Sequence, residues 1–578
     1  MDKVAQLLRS AQPPQIVGCW GYGDDSTLEV LSVLDATCPP TLNSSLLDVG
    51  LSASRFFTER EQADAWATVA EERLILGRDA FGRVPLYWTQ VEHVIWFASR
   101  SQVLLPLLKE RAISIEAMYG YSCFSYVPTP LTPVQGINAI PAGTEMSWTR
   151  DEQTMCISPP QSSRSFEWRE ADTLLADESD AIAQLQTLLK DAIDRETSDL
   201  GNEPVGVLLS GGLDSSIVAA LLVQAGAKVR AYSLDFGGTG TSEYLYAEQV
   251  AQWLNIPLVK VDASPQRIRN ALIPTVQALD LPFGDGVTVP LFLLSEAASR
   301  DTRVIFNGEG GDQLFAGWTN KPIIAASVYQ THHPGEEESF THQYLRTFHR
   351  LWGYEALAYD PKVYAQVKHL QAQDWLQDAI DPAFTPSLLS RLRRASLMLK
   401  GAQNIHPRAT ALGWAHGLKV RSLFCNMPLA QWTFGLSGSL CLQGSCEKYI
   451  LKRAVEDWLP PDIVWRQKRG MGVPLTAWCF NQWWHDLGDW LNPNRLSAEQ
   501  LWQPDLAAHV VEGKLGAAMA GRRMGEVLWL LVMWEMWMAN VHQPGSLDPH
   551  PPSWNHLSWN HPFWLPSWVW KYRQKWKE

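Results

Sequence analysis

The chain has 578 residues, 19% of them charged, and no apolar run reaches the roughly eighteen residues a membrane helix needs, so two or more soluble domains are expected. A net charge of −13 argues against a protein that coats nucleic acid, and the short, polar stretch 1–12 is not a signal peptide, which makes the cytoplasm the expected compartment. The cysteines at 19, 38, 123, 156, 425, 441, 446 and 479 include no Cys-x-x-Cys pair and no histidine cluster joins them, which leaves a zinc site and a disulfide framework unsupported. The 28 tryptophans are read as core or surface aromatics without chemistry.

Residues 1–155 carry short β-like runs at 15–22, 94–98 and 144–148 between turns, the pattern of a mixed, strand-rich domain. Residues 156–170 are polar, with Pro159-Pro160 and several serines, and read as a linker. From 171 to 197 acidic and apolar residues alternate at helical spacing, predicting a helix that leads into a second domain over 171–541.

The organising stretch is 205–222, where an apolar strand runs into Ser210-Gly211-Gly212-Leu213-Asp214-Ser215-Ser216 and then into an apolar helix. Paired glycines allow a tight turn with bare N–H groups, and Ser215 and Ser216 add hydroxyls at the positive end of the helix, so the turn is an anion cradle suited to phosphate. Strand, helix and strand patterns follow at 229–236, 243–254 and 256–261, predicting parallel βαβ units with ligands at the strands' carboxyl ends. Ser233 and Asp235 lie at such an end, where they either approach adenosine or cap a turn.

At 304–318 a second strand runs into a glycine-rich acidic turn containing Gly308, Glu309 and Asp312, and paired acids beside a phosphate site suit magnesium coordination or proton handling. Residues 329–399 are largely helical by pattern. Lys448 opens a further helix that stops near Leu459-Pro460, and a basic loop through Lys468 follows. Those lysines either neutralise a leaving anion or form a solvated basic surface. An apolar Trp- and Met-rich helix at 527–541 precedes a Pro/Trp-rich tail, 542–578, whose aromatic and basic residues could dock on a membrane surface or a partner, or pack back on the domain or be disordered.

The Walker A lysine is missing from the first loop, and Ser-Gly-Gly-x-Asp-Ser instead resembles the signature of the PP-loop ATP pyrophosphatases. The stretches 78–88, 97–99, 126–128 and 136–143 resemble the glutaminase domain of class II amidotransferases. The turn 308–317, the segment 417–426 and the stretch 447–474 resemble the asparagine synthetase family in order and spacing. The resemblance implies an α/β protein: an Ntn-glutaminase-like αββα domain, then a PP-loop, adenine nucleotide alpha hydrolase-like parallel-sheet domain with helical additions. It implies ATP and Mg2+ as cofactors, Ser210, Gly211, Gly212, Ser215, Ser216 and Gly308 around the nucleotide, Asp214 and Asp312 facing Mg-pyrophosphate, and Glu309 near the acyl adenylate and amine. Lys468, then Lys448, would be the charge stabilisers, and a homodimer is compatible with it.

Three departures stand out. Valine 17 occupies the place of the family's N-terminal nucleophilic cysteine, Cys19 sits two positions late and reads as a buried strand residue, and no Asn-Gly-Glu stretch is recognisable between 44 and 67. Lys419, Leu423 and Cys425-Asn426 stand where the family has an acid, a proline and Leu-Asp, while Arg421 is kept. The expected activity is carboxylate adenylation by ATP with capture by ammonia or an amine, without intrinsic glutaminase activity. Alternatives are intramolecular amide formation like that of lasso-peptide cyclases or β-lactam synthetases, and a non-catalytic ATP-binding scaffold.

Overall fold

The computed structural model describes residues 16–21, 52–54, 64–69, 72–151, 153, 156–237, 243–317, 340–348, 350–467, 470–516 and 522–544. Lys468, most of the 44–67 stretch and the tail beyond 544 lie outside them.

The N-terminal part stacks two antiparallel sheets. The first has the order β2-β1-β6-β5-β7, from β1 (Val17–Gly21), β2 (Ser52–Ser54), β5 (Tyr87–Val91), β6 (Val94–Ala98) and β7 (Ile137–Ala139). The second runs β10-β8-β4-β3, from β3 (Ala65–Val69), β4 (Arg73–Arg78), β8 (Thr144–Asp151) and β10 (Gln161–Arg164), with β9 (Cys156–Ile157) paired to β8. Strand alternation sends Trp20, Ile95, Phe97, Leu74, Leu76 and Trp148 into the layer between the sheets. Cys19 points the other way and is buried, as the strand reading of β1 requires.

The polar stretch read as a linker contributes β9 and β10 to this second sheet, with Gln161 opposite Ser147 and Arg164 opposite Thr144. All four residues of β10 are exposed, so no apolar alternation marks them as a strand; the ladder to β8 holds them. The next helix, α2, likewise begins later than the sequence pattern suggests, at Glu178 (Glu178–Thr197). The Asp177 side chain accepts the Asp180 N–H as its N-cap, and the preceding residues are irregular, with Ala171 N–H bonded to Phe434 O and Leu175 N–H to Gly435 O. Leu185, Leu189 and Ile193 form its buried stripe, each contributing about 1.5–3 kcal/mol of apolar burial.

The second part is built on a parallel sheet of order β13-β12-β11-β14-β15, from β11 (Val205–Leu208), β12 (Val229–Asp235), β13 (Leu258–Asp262), β14 (Val304–Asn307) and β15 (Lys419–Ser422). Val205, Val207, Ala231 and Phe306 face α2 and α3 (Leu213–Gln224), whereas Tyr232, Leu234, Val261 and Ile305 face α5 (Pro265–Ala278) and α6 (Thr288–Ala298), so both sheet faces are covered. α4 (Tyr244–Trp253) joins β12 to β13. The strand order reverses between β11 and β14, and in such sheets ligands bind outside the carboxyl ends of the strands at that point.

The two parts share one apolar core. α1 (Ile115–Phe124) sits between them: Tyr121 Oη donates to Leu530 O at 2.7 Å, on α10 (Arg522–Trp537), and Ser125 O accepts from Gly284 N at 2.8 Å. Trp478, Trp483, Trp502, Trp529, Trp534 and Trp537 are fully buried among the C-terminal helices, six of the 28 tryptophans serving as core. Among the described residues no helix is long and apolar enough to cross a membrane.

Candidate active site

The first loop leaves β11 and is tied by its own hydroxyls. Gly212 N–H donates to Ser210 Oγ at 3.2 Å, Ser210 N–H to Ser215 Oγ at 3.2 Å, and Ser216 Oγ donates to Gly212 O at 2.8 Å. Gly211 has φ +69°, and a Cβ there would lie 2.5 Å from the Tyr246 backbone, so this turn needs glycine twice over. Asp214 and Ser215 fall in the first turn of α3, the positive end of a helix that is buried on nearly every side.

The second loop leaves β14, immediately beside the first. Asn307 Oδ1 accepts the Glu309 N–H at 3.1 Å and the Ser422 hydroxyl at 2.7 Å, so the end of β14 and its neighbour β15 jointly shape the turn that carries Glu309. The two loops touch through glycine: a Cβ at Gly308 would lie 2.8 Å from Ser215 N, and one at Gly311 would lie 2.6 Å from Asp214 Cγ. Glu309 and Asp312 thereby stand beside the first loop.

Lys448, expected from the resemblance as a charge stabiliser, is the third member. It caps α9 (Tyr449–Val455) in a left-handed conformation, φ +55°, a strained choice for a non-glycine residue. It is 2% exposed, so it is not part of a solvated basic surface. Its Nζ pairs with Asp214 Oδ2 and stands 2.5 Å from Asp312 Oδ1, binding both loops to a third element. Gly317 leaves room for it, since a Cβ there would meet Lys448 Cε. The three charged groups converge on the switch point from segments far apart in sequence.

Other expected residues are placed differently. Ser233 is buried on β12. Asp235, at its end, pairs with Lys260 Nζ at 2.6 Å and accepts the Gly237 N–H at 3.2 Å, the turn-capping alternative; these bonds hold its pKa below the usual carboxylate value. Arg421 turns to the end of α2, with both guanidinium NH groups 2.7 Å from Asp199 oxygens. The exposed Lys419 sits at the start of β15, and Asn426 is an N-cap accepting from Leu429 N–H at 3.1 Å. Of the departures around 419–426, Cys425 reaches the site, its Sγ 4.0 Å from Glu309 O.

The basic loop is fastened at its start. Lys452 Nζ donates to Arg466 O at 3.4 Å, and the Arg466 guanidinium lies 3.9 Å from the centre of the Tyr246 ring, whose backbone abuts Gly211. At the other end of the molecule, Val17 begins β1, and the peptide before it is engaged in the sheet: Ile16 N–H donates to Ser99 Oγ at 3.1 Å and Ile16 O accepts from Ser99 N–H at 2.8 Å. Val17, peptide-bonded to Ile16, therefore carries no free α-amino group.

Asn307, Ser422, Gly317 and Cys425 were not identified as site residues from sequence. An asparagine ending a strand two residues before an acid was the available signal for the first; nothing in the sequence pairs Ser422 or Cys425 with it.

A family model described as asparagine synthase matches residues 184–539, and one for a glutamine amidotransferase domain matches residues 65–158. The chain is 24% identical over 427 residues to asparagine synthetase [glutamine-hydrolyzing] 1 of Bacillus subtilis, covering 70% of this chain and 66% of that protein. It is 21% identical over 419 residues to asparagine synthetase B [glutamine-hydrolyzing] of Escherichia coli, covering 69% and 58%. Among solved structures, NH3-dependent NAD synthetase from Campylobacter jejuni aligns over 35% of this chain and 96% of that one, with 14% identity and a TM-score of 0.19.

Proposed function

Because this chain belongs to the asparagine synthase family of ATP-dependent amide ligases, we propose that it adenylates a carboxylate, aspartate or a related acid, and joins it to ammonia or an amine, releasing AMP and pyrophosphate. One observation carries the reading: the phosphate cradle, the Glu309 loop and Lys448 meet at one switch point, bound together by the Lys448 pairs to Asp214 and Asp312.

Ser210, Gly211, Gly212, Ser215 and Ser216 present N–H and hydroxyl donors to the polyphosphate. Two carboxylates at a phosphate site fit magnesium, which is bound by one or two protein carboxylates plus phosphate oxygens, so Asp214 and Asp312 would hold it. When bound, the ion neutralises charge on the leaving pyrophosphate. Lys448 sits between those carboxylates and supplies the protein's own positive charge there; Lys468, on the loop fastened at Arg466, is the second cation of this reading. Glu309, held at the rim by Asn307, orients the attacking amine and takes its proton.

The N-terminal domain supplies no ammonia in this reading, since valine stands in the nucleophile's place inside a hydrogen-bonded strand. The test is pyrophosphate release from ATP and magnesium with aspartate, then pooled carboxylates, each with ammonium or glutamine. Aspartate-dependent release with ammonium but not glutamine supports the proposal. The absence of release with any small acid, despite ATP binding, rejects it and favours a peptide carboxylate or a scaffold.

A further inference from the structure

The N-terminal domain has a feature that glutamine hydrolysis does not explain. Its loop 79–84 is tied around the buried Arg78, whose guanidinium donates to three backbone carbonyls: Val84 O at 2.8 Å, Ile140 O at 2.7 Å and Gly82 O at 2.7 Å. Asp79 adds bonds to the N–H groups of Phe81 at 3.3 Å and Arg83 at 3.2 Å. The loop so fixed presents the Phe81 carbonyl to the second domain.

What it meets there is His406, at the junction of a π-helix (Ser396–Ile405) and α8 (His406–Trp414). His406 Nδ1 lies 2.8 Å from Phe81 O. A carbonyl only accepts, so Nδ1 carries the proton. The ring is fully enclosed, and burial lowers its pKa to about 4, so it is neutral and Nε2 is a lone-pair acceptor. Cys425 Sγ stands 3.7 Å from that Nε2 and 4.0 Å from Glu309 O. Burial also raises the pKa of the Cys425 thiol, which keeps its proton and can donate it. A second contact docks the same π-helix: Thr129 N–H donates to Gln403 Oε1 at 2.9 Å.

We infer that the N-terminal domain acts as the positioning element of the acceptor side of the site: Phe81 O orients His406, His406 Nε2 takes the single Cys425 S–H, and the sulfur so fixed packs against the backbone carbonyl of Glu309. His406 and Cys425 are positioning residues, since neither lies on the phosphate cradle. The inference explains why a domain without a nucleophile keeps the 78–84 loop, and its consequence for turnover rests on the function proposed above.

Hydrogen exchange of the full-length protein tests it directly. Losing one buried hydrogen bond should raise opening of the peptide spanning 304–312 by about tenfold in His406→Ala and Cys425→Ala. His406→Asn, which keeps a donor for Phe81 O but is too short to place an acceptor where Nε2 meets the thiol, should do the same, and it serves if the alanine variant does not fold. Cys425→Ser, which restores a donor, should stay within about twofold of wild type. So should Gln102→Ala, which loosens a separate docking contact between the domains, its bonds to Gln277 O and Leu279 O at 3.1 and 2.9 Å. Unchanged exchange in the His406 and Cys425 variants, or an equal rise with Gln102→Ala, overturns the inference. In turnover, Cys425→Ala should lower kcat for amide formation about tenfold with KM for ATP within about twofold; an equal loss in both marks a merely structural role. If the wild type turns over no acid, the functional proposal fails, and the exchange measurement still decides the positioning.

Discussion

Lys448 Nζ stands 2.5 Å from Asp312 Oδ1 and also pairs with Asp214, so a single buried ammonium holds the two loops of the site together. Replacing Lys448 with Gln leaves two carboxylates facing each other in a partly desolvated space. Breaking a buried pair this way costs about 3–5 kcal/mol. The variant should melt well below wild type and regain more from magnesium than wild type does, because the ion takes over the missing charge. A melting temperature equal to wild type would show that the pairing carries no stability.

Close approach between the loops makes a second prediction. Gly311→Ala places a methyl 2.6 Å from Asp214 Cγ, and Asp214 must move to admit it. ATP binding, measured by calorimetry, should weaken by about tenfold or more, the effect of losing an aligned charged contact. Gly201→Ala, with nothing within 4 Å of the new methyl, is the matched control and should bind as wild type does.

The pH dependence of stability should carry the His406 signature. Its folded pKa, about 4, lies below the ordinary 6.5, so its contribution is fully present above pH 6.5 and is lost as the pH falls through 4. The full loss is roughly 3 kcal/mol. Asp79 acts in the opposite sense: burial and the nearby Asp64 raise it from 3.8 to about 6, so its contribution is present below pH 3.8 and lost as the pH rises through 6. Comparing wild type with His406→Asn isolates the first effect. The stability advantage of wild type should shrink between pH 6.5 and 4; a constant difference in denaturant midpoints would contradict the buried, neutral ring.

Restoring a thiol should not restore glutamine hydrolysis. Val17→Cys places sulfur at the start of β1, where the residue before it is peptide-bonded and held by Ser99 at both its N–H and its carbonyl. A nucleophile of this class needs a free α-amine as base. Glutamate release by the variant should equal that of wild type. A measurable increase would mean another base serves, and the N-terminal domain would have to be reconsidered as an ammonia source.

Local pattern alone determined a good deal. The run from Val205 to Leu222 is legible because apolar strand, glycine turn and apolar helix succeed one another within a few residues, and each has its own short-range signature. The strand ending at Asn307 and the acidic turn after it are legible for the same reason, and together these motifs carry the family resemblance. The strand β10 was not legible, because its residues are all exposed and only the ladder to β8 makes them a strand. Asp235 and Lys448 could be read two ways, and their partners are tertiary: Lys260 pairs with the first, while the second is drawn under the carboxylates of two loops. The Cys425–His406–Phe81 chain had no sequence signal at all. The physical reason is common to these cases. A buried polar group must find a partner, but which partner depends on where distant strand ends and helix starts are brought together, and only the packed fold settles that.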